Sequence, residues 1–154
     1  MKKSFIYFLL AMSTSTIYSQ EFSNPEPLFD PSPYGFSHVA LVPSDTKLIF
    51  VAGQGGEENK EGRLSPDFRL QVRHALQNIQ FALKSQGLDM NSVVKVTTLV
   101  VDHDAGKLQV IVEEFEKIWP KKNFPVNTLI PVPRLALDNM QIEIDAIAVL
   151  TGHD

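Results

Sequence analysis

Residues 92–101, SVVKVTTLVV, restrict the fold of this chain more than any other segment does. The segment is rich in β-branched side chains and therefore predicts a strand. Six of its ten residues are apolar and they fall on both odd and even positions, so the strand needs cover on both of its faces. Any fold for this chain must therefore place packing layers on the two sides of one central strand.

Two predicted helices flank this strand along the sequence. In the first, Ser65 is the predicted N-cap, Pro66 takes the first helical position, and Gly87 ends the helix. In the second, Asp102 or Asp104 begins a helix whose apolar side chains form one stripe. The predicted core positions of the two helices are Val72, Ala75, Leu76, Ile79, Ala82 and Leu83, followed by Leu108, Ile111, Val112, Phe115 and Trp119.

Four further segments have the composition of strands. Residues 35–42 and 47–53 are predicted to form a hairpin through the turn PSDT, and the last two strands cover about 126–132 and 141–150. The order ββαβαββ predicts a two-layer α+β domain with both helices on one face of a mixed sheet. One helical layer covers one face only, so we expect the other face to pack against further subunits.

The N-terminal segment, MKKSFIYFLLAMSTSTIYSQ, is set apart from the rest. It begins with two lysines, continues with an apolar run and ends with small polar residues, which is the layout of a secretory signal peptide. We predict a signal peptide over residues 1–19, a proline-rich arm over 20–33 and one domain over 34–151. The product would be periplasmic or secreted, without membrane attachment after cleavage. The alternative is a retained, membrane-tethered N-terminal helix.

Charge and composition disfavour several classes of function. Cleavage would remove Lys2 and Lys3 from a chain of formal net charge −4, leaving −6. An acidic domain lacks the electrostatic footprint of a nucleic-acid-binding protein. The absence of cysteine excludes disulfides and thiol catalysis. The histidines lack the spacing of a metal site, so we predict neither a metal nor a cofactor. They are His38, His74, His103 and His153.

Two of these histidines stand where a specific role is conceivable from the sequence. His38, in the first strand of the predicted domain, either lines a pocket or is a satisfied structural histidine. His103 lies between Asp102 and Asp104, where we expect solvated loop charge rather than a cation site.

Two carboxylates mark the last predicted strand. Glu143 and Asp145 are two residues apart and therefore point to the same face, while Ile142, Ile144 and Ala146 point to the core. Two carboxylates on a buried face would be costly without partners. Their face is therefore wet, at a subunit boundary, or functional.

Taken in order, several segments resemble the RidA/YjgF family, also called the L-PSP endoribonuclease-like family. YGFSHVALV and KLIFVAGQ are similar to its first two strands, and DFRLQVRHALQN with SVVKVTTLVVD to its helix–strand core. FPVNTLIPVPRL and IEIDAIAV resemble its two terminal motifs. The resemblance covers residues 34–150. It implies a chorismate-mutase-like α+β fold and a homotrimer whose sheets close a central barrel, with a small-molecule pocket in each subunit cleft.

The resemblance also implies an activity and a set of site residues. Members of the family hydrolyse 2-imino (enamine) acids to 2-keto acids and ammonia; an arginine binds the substrate carboxylate and a glutamate orients the attacking water. Glu143 matches that glutamate, and Asn127 stands where the deaminases have the arginine. Phe36 and His38 fall where active members often have Tyr and Gln. The remaining expected substrate-binding residues are Ala52, Gly53 and Thr128.

Asn127 separates two hypotheses about function. An asparagine offers hydrogen bonds but no charge, and losing the charged pair would cost about 2–4 kcal/mol of binding. Arg134 does not replace the missing charge, because it stands an odd number of residues after Asn127 and would therefore point to the opposite face of the strand. The chain is either a Rid-like hydrolase of a small imine or enamine, including an uncharged one, with Glu143 as its catalytic residue, or a non-catalytic metabolite-binding trimer. The acidic charge and the lack of a His or Lys catalytic pair disfavour ribonuclease activity.

Overall fold

The computed structural model describes residues 20–120 and 123–151. The predicted signal peptide, residues 1–19, and His153 lie outside the described residues. Within the described ranges, no helix is both long enough and apolar enough to cross a bilayer.

The described residues form a two-layer α+β structure. Its main sheet has the strand order β3-β6-β4-β5, with β4 and β5 parallel and the other neighbours antiparallel. Both helices pack on one face of this mixed sheet, as predicted. In chain order the elements are β1 (Glu21–Ser23), β2 (Val39–Leu41), β3 (Thr46–Gly55), α1 (Phe68–Lys84), β4 (Val93–Val101), α2 (Ala105–Ile118), β5 (Val126–Val132) and β6 (Ile142–Thr151).

The predicted hairpin between residues 35–42 and 47–53 is wrong. β2 is only three residues long and pairs with β1 of the proline-rich arm, with Phe22 opposite Ala40. β3 pairs instead with β6, which offers it a partner strand of the same length. The arm is therefore not a plain linker, because it supplies the second strand of a small separate sheet.

The first helix begins two residues later than predicted. Its N-cap is Asp67, whose Oδ1 accepts a hydrogen bond of 3.0 Å from the backbone N–H of Leu70. Ser65 lies two residues earlier, and its Oγ accepts a hydrogen bond of 3.1 Å from the backbone N–H of Asp67. Ser65 therefore orders the turn that precedes the helix, while the carboxylate satisfies the helix itself.

The other predicted helix ends are confirmed. Gly87 has φ +74°, and its N–H donates to the carbonyl of Lys84 at 3.1 Å, closing α1 with a left-handed glycine. Asp104 is the N-cap of α2, since its Oδ1 accepts from the backbone N–H of Lys107 at 2.7 Å.

The central strand β4 is buried on one face only. Val96, Thr98 and Val100 point to the helices and are fully buried, whereas Thr97 and Leu99 on the opposite side are half-buried. We call that second side the open face of the sheet. Its apolar members, assigned by strand register, are Leu48, Phe50, Leu99, Ile130 and Ile147. Its cover by further subunits stays a prediction.

Candidate functional site

A cavity of about 610 Å³ lies beside the outer edge of β5. The arm and the turn after it supply an aromatic wall, and the start of α2 with Leu108 and Ile111 supplies an apolar floor. We call this space the aromatic cavity. Its aromatic wall is formed by Phe29, Tyr34 and Phe36.

A buried serine positions the aromatic wall against β5. The Ser37 N–H donates to the carbonyl of Pro125 at 3.2 Å, and Ser37 Oγ donates to the carbonyl of Phe124 at 2.7 Å. Ser37 also forms an isolated parallel bridge with Val126. These bonds hold the neighbouring Phe36 at the start of β5, next to Asn127.

The arm folds back onto this wall through His38. The ring of Phe29 packs edge-to-face on Phe36 at 6.0 Å and on His38 at 5.2 Å. His38 Nε2 is bonded to the carbonyl of Phe29 at 2.9 Å, and its backbone N–H donates to Asn24 Oδ1 at 2.9 Å. His38 is thus a hydrogen-bonded residue that anchors the arm, and it lies behind the aromatic wall rather than among the lining residues.

Asn127 and Thr128 lie on the β5 side of the aromatic cavity. Asn127 Oδ1 accepts a hydrogen bond of 3.0 Å from the hydroxyl of Thr98, which is fully buried. This bond leaves the Asn127 Nδ2 amide as a donor, and it has no acceptor among the described residues. Asn127 therefore presents a neutral hydrogen-bond donor to the cavity.

His103 is a residue of the cavity wall that the sequence interpretation missed. Its Nε2 is buried and has no hydrogen-bond partner within the described ranges. The preceding Asp102 has φ +49°, and Asp104 caps α2 directly afterwards, so the connection from β4 to α2 is very short. That shortness was the available signal, because a loop residue between a strand end and an N-cap cannot extend far into solvent.

The aromatic cavity has no formally charged side chain among the described residues that line it. Its side-chain polar atoms come from Tyr34, His103, Asn127 and Thr128. In the described part of the chain, no group of three His, Asp or Glu residues is arranged to hold a metal ion. The cavity is therefore suited to an organic molecule held by shape and a few hydrogen bonds.

Glu143 lies on the open face, at a break in the β3–β6 ladder. Ala52 and Gly53 together face the single residue Asp145, which makes a β-bulge in β3. The Glu143 carboxylate lies directly over Gly53, so closely that a Cβ at that position would overlap it. Only a glycine allows this approach of a side chain to the strand backbone.

The two carboxylates of β6 differ in their surroundings. Asp145 Oδ1 accepts a hydrogen bond of 3.0 Å from the backbone N–H of Thr97. Glu143 is half-buried, and no hydrogen-bond partner for its carboxylate occurs in residues 20–120 or 123–151. Of the pair, Glu143 is the one free to bind a water molecule or a ligand.

The expected site residues fall into two groups within one chain. Phe36, Asn127 and Thr128 line the aromatic cavity, and Asn127 bonds a side chain on the helix-facing side of β4. Glu143 pairs with Leu99 on the open face and is accompanied by Ala52 and Gly53. A single copy therefore does not bring Glu143 and Asn127 into one pocket.

Arg134 belongs to neither group. It lines a different cavity of about 620 Å³ beyond the end of β5, together with Asp138 and Gln141. Its guanidinium does not supply a charge at Asn127, which agrees with the parity argument made from the sequence.

A buried ionic cluster joins the two helices away from the aromatic cavity. Glu114 is 3% exposed and accepts hydrogen bonds from Arg69 Nη1 and Arg73 Nε, each at 2.9 Å, and from Lys117 Nζ at 2.8 Å. Burial disfavours the ionised carboxylate, but the bonds from Arg73, Lys117 and Arg69 outweigh it and lower the pKa of Glu114 to about 2. The carboxylate is fully used by these cations, which makes it a structural element.

Comparison with known proteins identifies the family in which this architecture occurs. The family described as Endoribonuclease L-PSP matches residues 31–150. A 2-iminobutanoate/2-iminopropanoate deaminase from Rattus norvegicus is 35% identical over 116 residues, covering 74% of this chain and 79% of that protein. The enzyme of the same name from Salmonella typhimurium is 30% identical over 104 residues, covering 66% and 79%.

Solved structures agree with this assignment. The Rid-family protein YyfB from Yersinia pestis, described as of unknown function, is 30% identical with a TM-score of 0.78, covering 85% of this chain and 98% of that one. The YjgF gene product of E. coli is 26% identical with a TM-score of 0.59, covering 77% and 94%. The chain therefore belongs to the RidA/YjgF family and has its chorismate-mutase-like α+β fold.

Proposed function

We propose that the protein is a Rid-like hydrolase that deaminates a small imine or enamine. The observation that carries the proposal is Glu143, a half-buried carboxylate without a partner in the described chain, held over Gly53 at a bulge. The deaminases of rat and Salmonella among its relatives support the same reaction class.

The chemistry needs only a positioned carboxylate and one water molecule. A water bound to Glu143 attacks the imine carbon while the carboxylate accepts one of its protons. The carboxylate returns this proton to the nitrogen, which gives a tetrahedral intermediate with one hydroxyl and one amino group. It then carries the hydroxyl proton to the amino nitrogen while the C–N bond breaks, so that ammonia leaves and a carbonyl product remains. No redox change occurs, so the reaction requires no cofactor.

A homotrimer is part of the proposal because one copy separates the two groups of site residues. The open face carries Phe50, which is 72% exposed, and the half-exposed Leu48. If neighbouring copies cover this face, they bury apolar surface and can place Glu143 of one subunit in a cleft with Asn127 of another. The small-molecule site would then lie between subunits.

Export is a further part of the proposal and rests on the sequence alone. The lysines, apolar run and small polar residues of segment 1–19 support cleavage and a periplasmic or secreted product. N-terminal sequencing of protein recovered from the periplasm or medium tests it; an intact Met1 would contradict cleavage.

A second candidate function is favoured by Asn127. The aromatic cavity lacks a permanent cation where the resemblance implies an arginine. A trimer that binds a neutral metabolite without converting it would need the cavity and would not need Glu143.

Ammonia release distinguishes the two candidates. The substrates would be freshly generated 2-iminopropionate and the uncharged benzophenone imine, with protein-free hydrolysis as background. We expect Glu143→Gln to lower the enzymatic rate on the better substrate by about 100-fold, because the amide cannot accept the proton. Asp145→Asn is the matched control, since Asp145 is two residues away on the same face and already bonded to Thr97. Equal rates above background for wild type and Glu143→Gln would remove Glu143 from the mechanism, and a wild-type rate equal to the background would reject the hydrolase and favour the binding protein.

A further inference from the structure

The wall of the aromatic cavity shows which ligands it can accept. Three aromatic rings form one side, and Leu108, Ile111 and Leu129 add apolar surface. Such a lining favours a flat or compact apolar body, because ring faces and edges give aromatic contacts in addition to burial. The volume of about 610 Å³ is that of a small-molecule site.

Asn127 offers this ligand a defined hydrogen-bonding group. Its Oδ1 is occupied by the buried hydroxyl of Thr98, so the amide orientation is fixed by a group that cannot turn toward solvent. The remaining Nδ2 is a donor, and its natural partner is a carbonyl oxygen or an imine nitrogen.

His103 supplies a second polar atom. A buried ring nitrogen without a partner is uncommon in folded proteins, because its lost hydration is not replaced. His103 Nε2 is in this condition and lies in the wall of the same cavity. A ligand with a polar group facing His103 would restore the missing hydrogen bond.

The same lining disfavours an anion. A carboxylate that enters this cavity leaves water and meets no cation among the described lining residues. The charge would be desolvated without a compensating ion pair, whereas a neutral carbonyl of the same shape would be satisfied by one donor.

We propose that the aromatic cavity binds a small uncharged molecule with an aromatic or apolar body and one carbonyl or imine group, with Asn127 Nδ2 as its main donor and His103 as its second polar contact. This inference rests on the proposed function, because it names the substrate class as an uncharged imine or enamine. It also makes His103 a specificity-determining residue of the cavity.

A matched pair of ligands tests the proposal by binding alone. Phenylacetamide and phenylacetate share one body and differ in charge at neutral pH. Isothermal titration of the purified protein should show phenylacetamide binding at least about tenfold more tightly than phenylacetate. Equal binding, tighter binding of phenylacetate, or no binding of either at millimolar concentration would overturn the proposal.

Variants at the two polar positions sharpen the test. Asn127→Arg should reverse the preference between the two ligands, and His103→Phe should weaken phenylacetamide by about fivefold or more while changing phenylacetate little. Asn91→Arg is the matched control, because it adds the same charge at an exposed position outside the cavity and should leave the preference unchanged. A wild-type preference retained in Asn127→Arg, with its fold verified by circular dichroism, would contradict the role of Asn127.

Should Asn127→Arg fail to fold, Asn127→Ala removes the donor without adding bulk. Its expected result is loss of the amide preference. The binding preference should persist in Glu143→Gln, because Glu143 acts after binding. Ammonia release without an amide preference would reject this inference and retain the hydrolase. An amide preference without ammonia release would retain this binding preference and reject the hydrolase.

Discussion

At the scale of single residues, two glycines three positions apart, one in β3 and one directly after it, show how closely neighbouring side chains approach this part of the backbone. A side chain at Gly53 would meet the far end of Glu143, which can rotate away. A side chain at Gly56 would meet Cα and Cβ of Gln71 in α1, which cannot move without shifting the helix. The first glycine therefore matters for the position of a functional carboxylate, and the second for packing of helix on sheet.

Alanine at each glycine should separate these effects. We expect Gly53→Ala to lower ammonia release by about tenfold or more by displacing Glu143, with little change in stability. Gly56→Ala should lower the free energy of unfolding by about 1–3 kcal/mol through overpacking. Urea unfolding and rate measurements on both variants test this pair. A fully active Gly53→Ala protein would show that the Glu143–Gly53 contact has no catalytic importance.

The site was only partly predictable from its residues. Asn127 and Glu143 could be singled out because each stands in a short strand motif. For His103 the short loop was the one available signal, and it did not show that β5, which follows α2 in sequence, forms the cavity with it. The pairing of His38 with Phe29 was equally hidden, since nothing in the sequence shows that the arm folds back.

At the scale of elements, Glu114 joins α1 to α2. Arg69 and Arg73 come from the first helix, and Glu114 and Lys117 from the second. The two arginine side chains remain partly exposed, at 34% and 46%, while the carboxylate is almost fully buried. Removing the carboxylate would leave cations that water can still solvate, so the loss falls mainly on the contact between the helices.

This cluster predicts a pH dependence of stability. Because the folded-state pKa of Glu114 is lowered to about 2 from an ordinary value of 4.5, its stabilisation is complete above the ordinary value and is lost as the pH falls toward 2. The contribution is on the order of 3 kcal/mol. Urea unfolding of wild type and Glu114→Gln at several pH values should give a difference that shrinks on acidification. A difference independent of pH would contradict this role.

The elements themselves were largely predictable, while their partners were not. The periodicity of both helices and the composition of the central and C-terminal strands predicted elements that the structure confirms. The hairpin failed because an alternating pattern shows which face of a strand is buried but not which strand lies beside it. Asp67 replaced Ser65 as the cap because both residues can cap, and only the backbone geometry decides between them.

At the scale of the whole molecule, the open face of the sheet is the face that no layer of the described chain covers. The two helices cover the opposite face, and the apolar residues of the open face have no such cover. Phe50 and Leu48 are too exposed to belong to a core. Two large apolar side chains next to each other are also unusual on a face that remains in contact with water. Assembly into the proposed homotrimer would bury them.

A charge on this face should prevent assembly. We expect native mass spectrometry to give three times the chain mass for wild type and a single chain for Phe50→Asp, because an aspartate in an apolar interface would be desolvated without a partner. Phe81→Asp is the control, since Phe81 is 63% exposed but lies on α1 in the helical layer. A wild-type monomer, or a Phe50→Asp trimer, would contradict this interface.

The strand order also sets the time at which the sheet can form. β6 is the last strand described along the chain, yet it lies between β3 and β4. While a ribosome is still making residues 142–151, β3 therefore has no neighbour in the main sheet. The central ladder requires contacts between distant parts of the chain, which form slowly. Synthesis thus delivers β6, the strand that joins β3 to β4, only after the other three strands of the main sheet have been made.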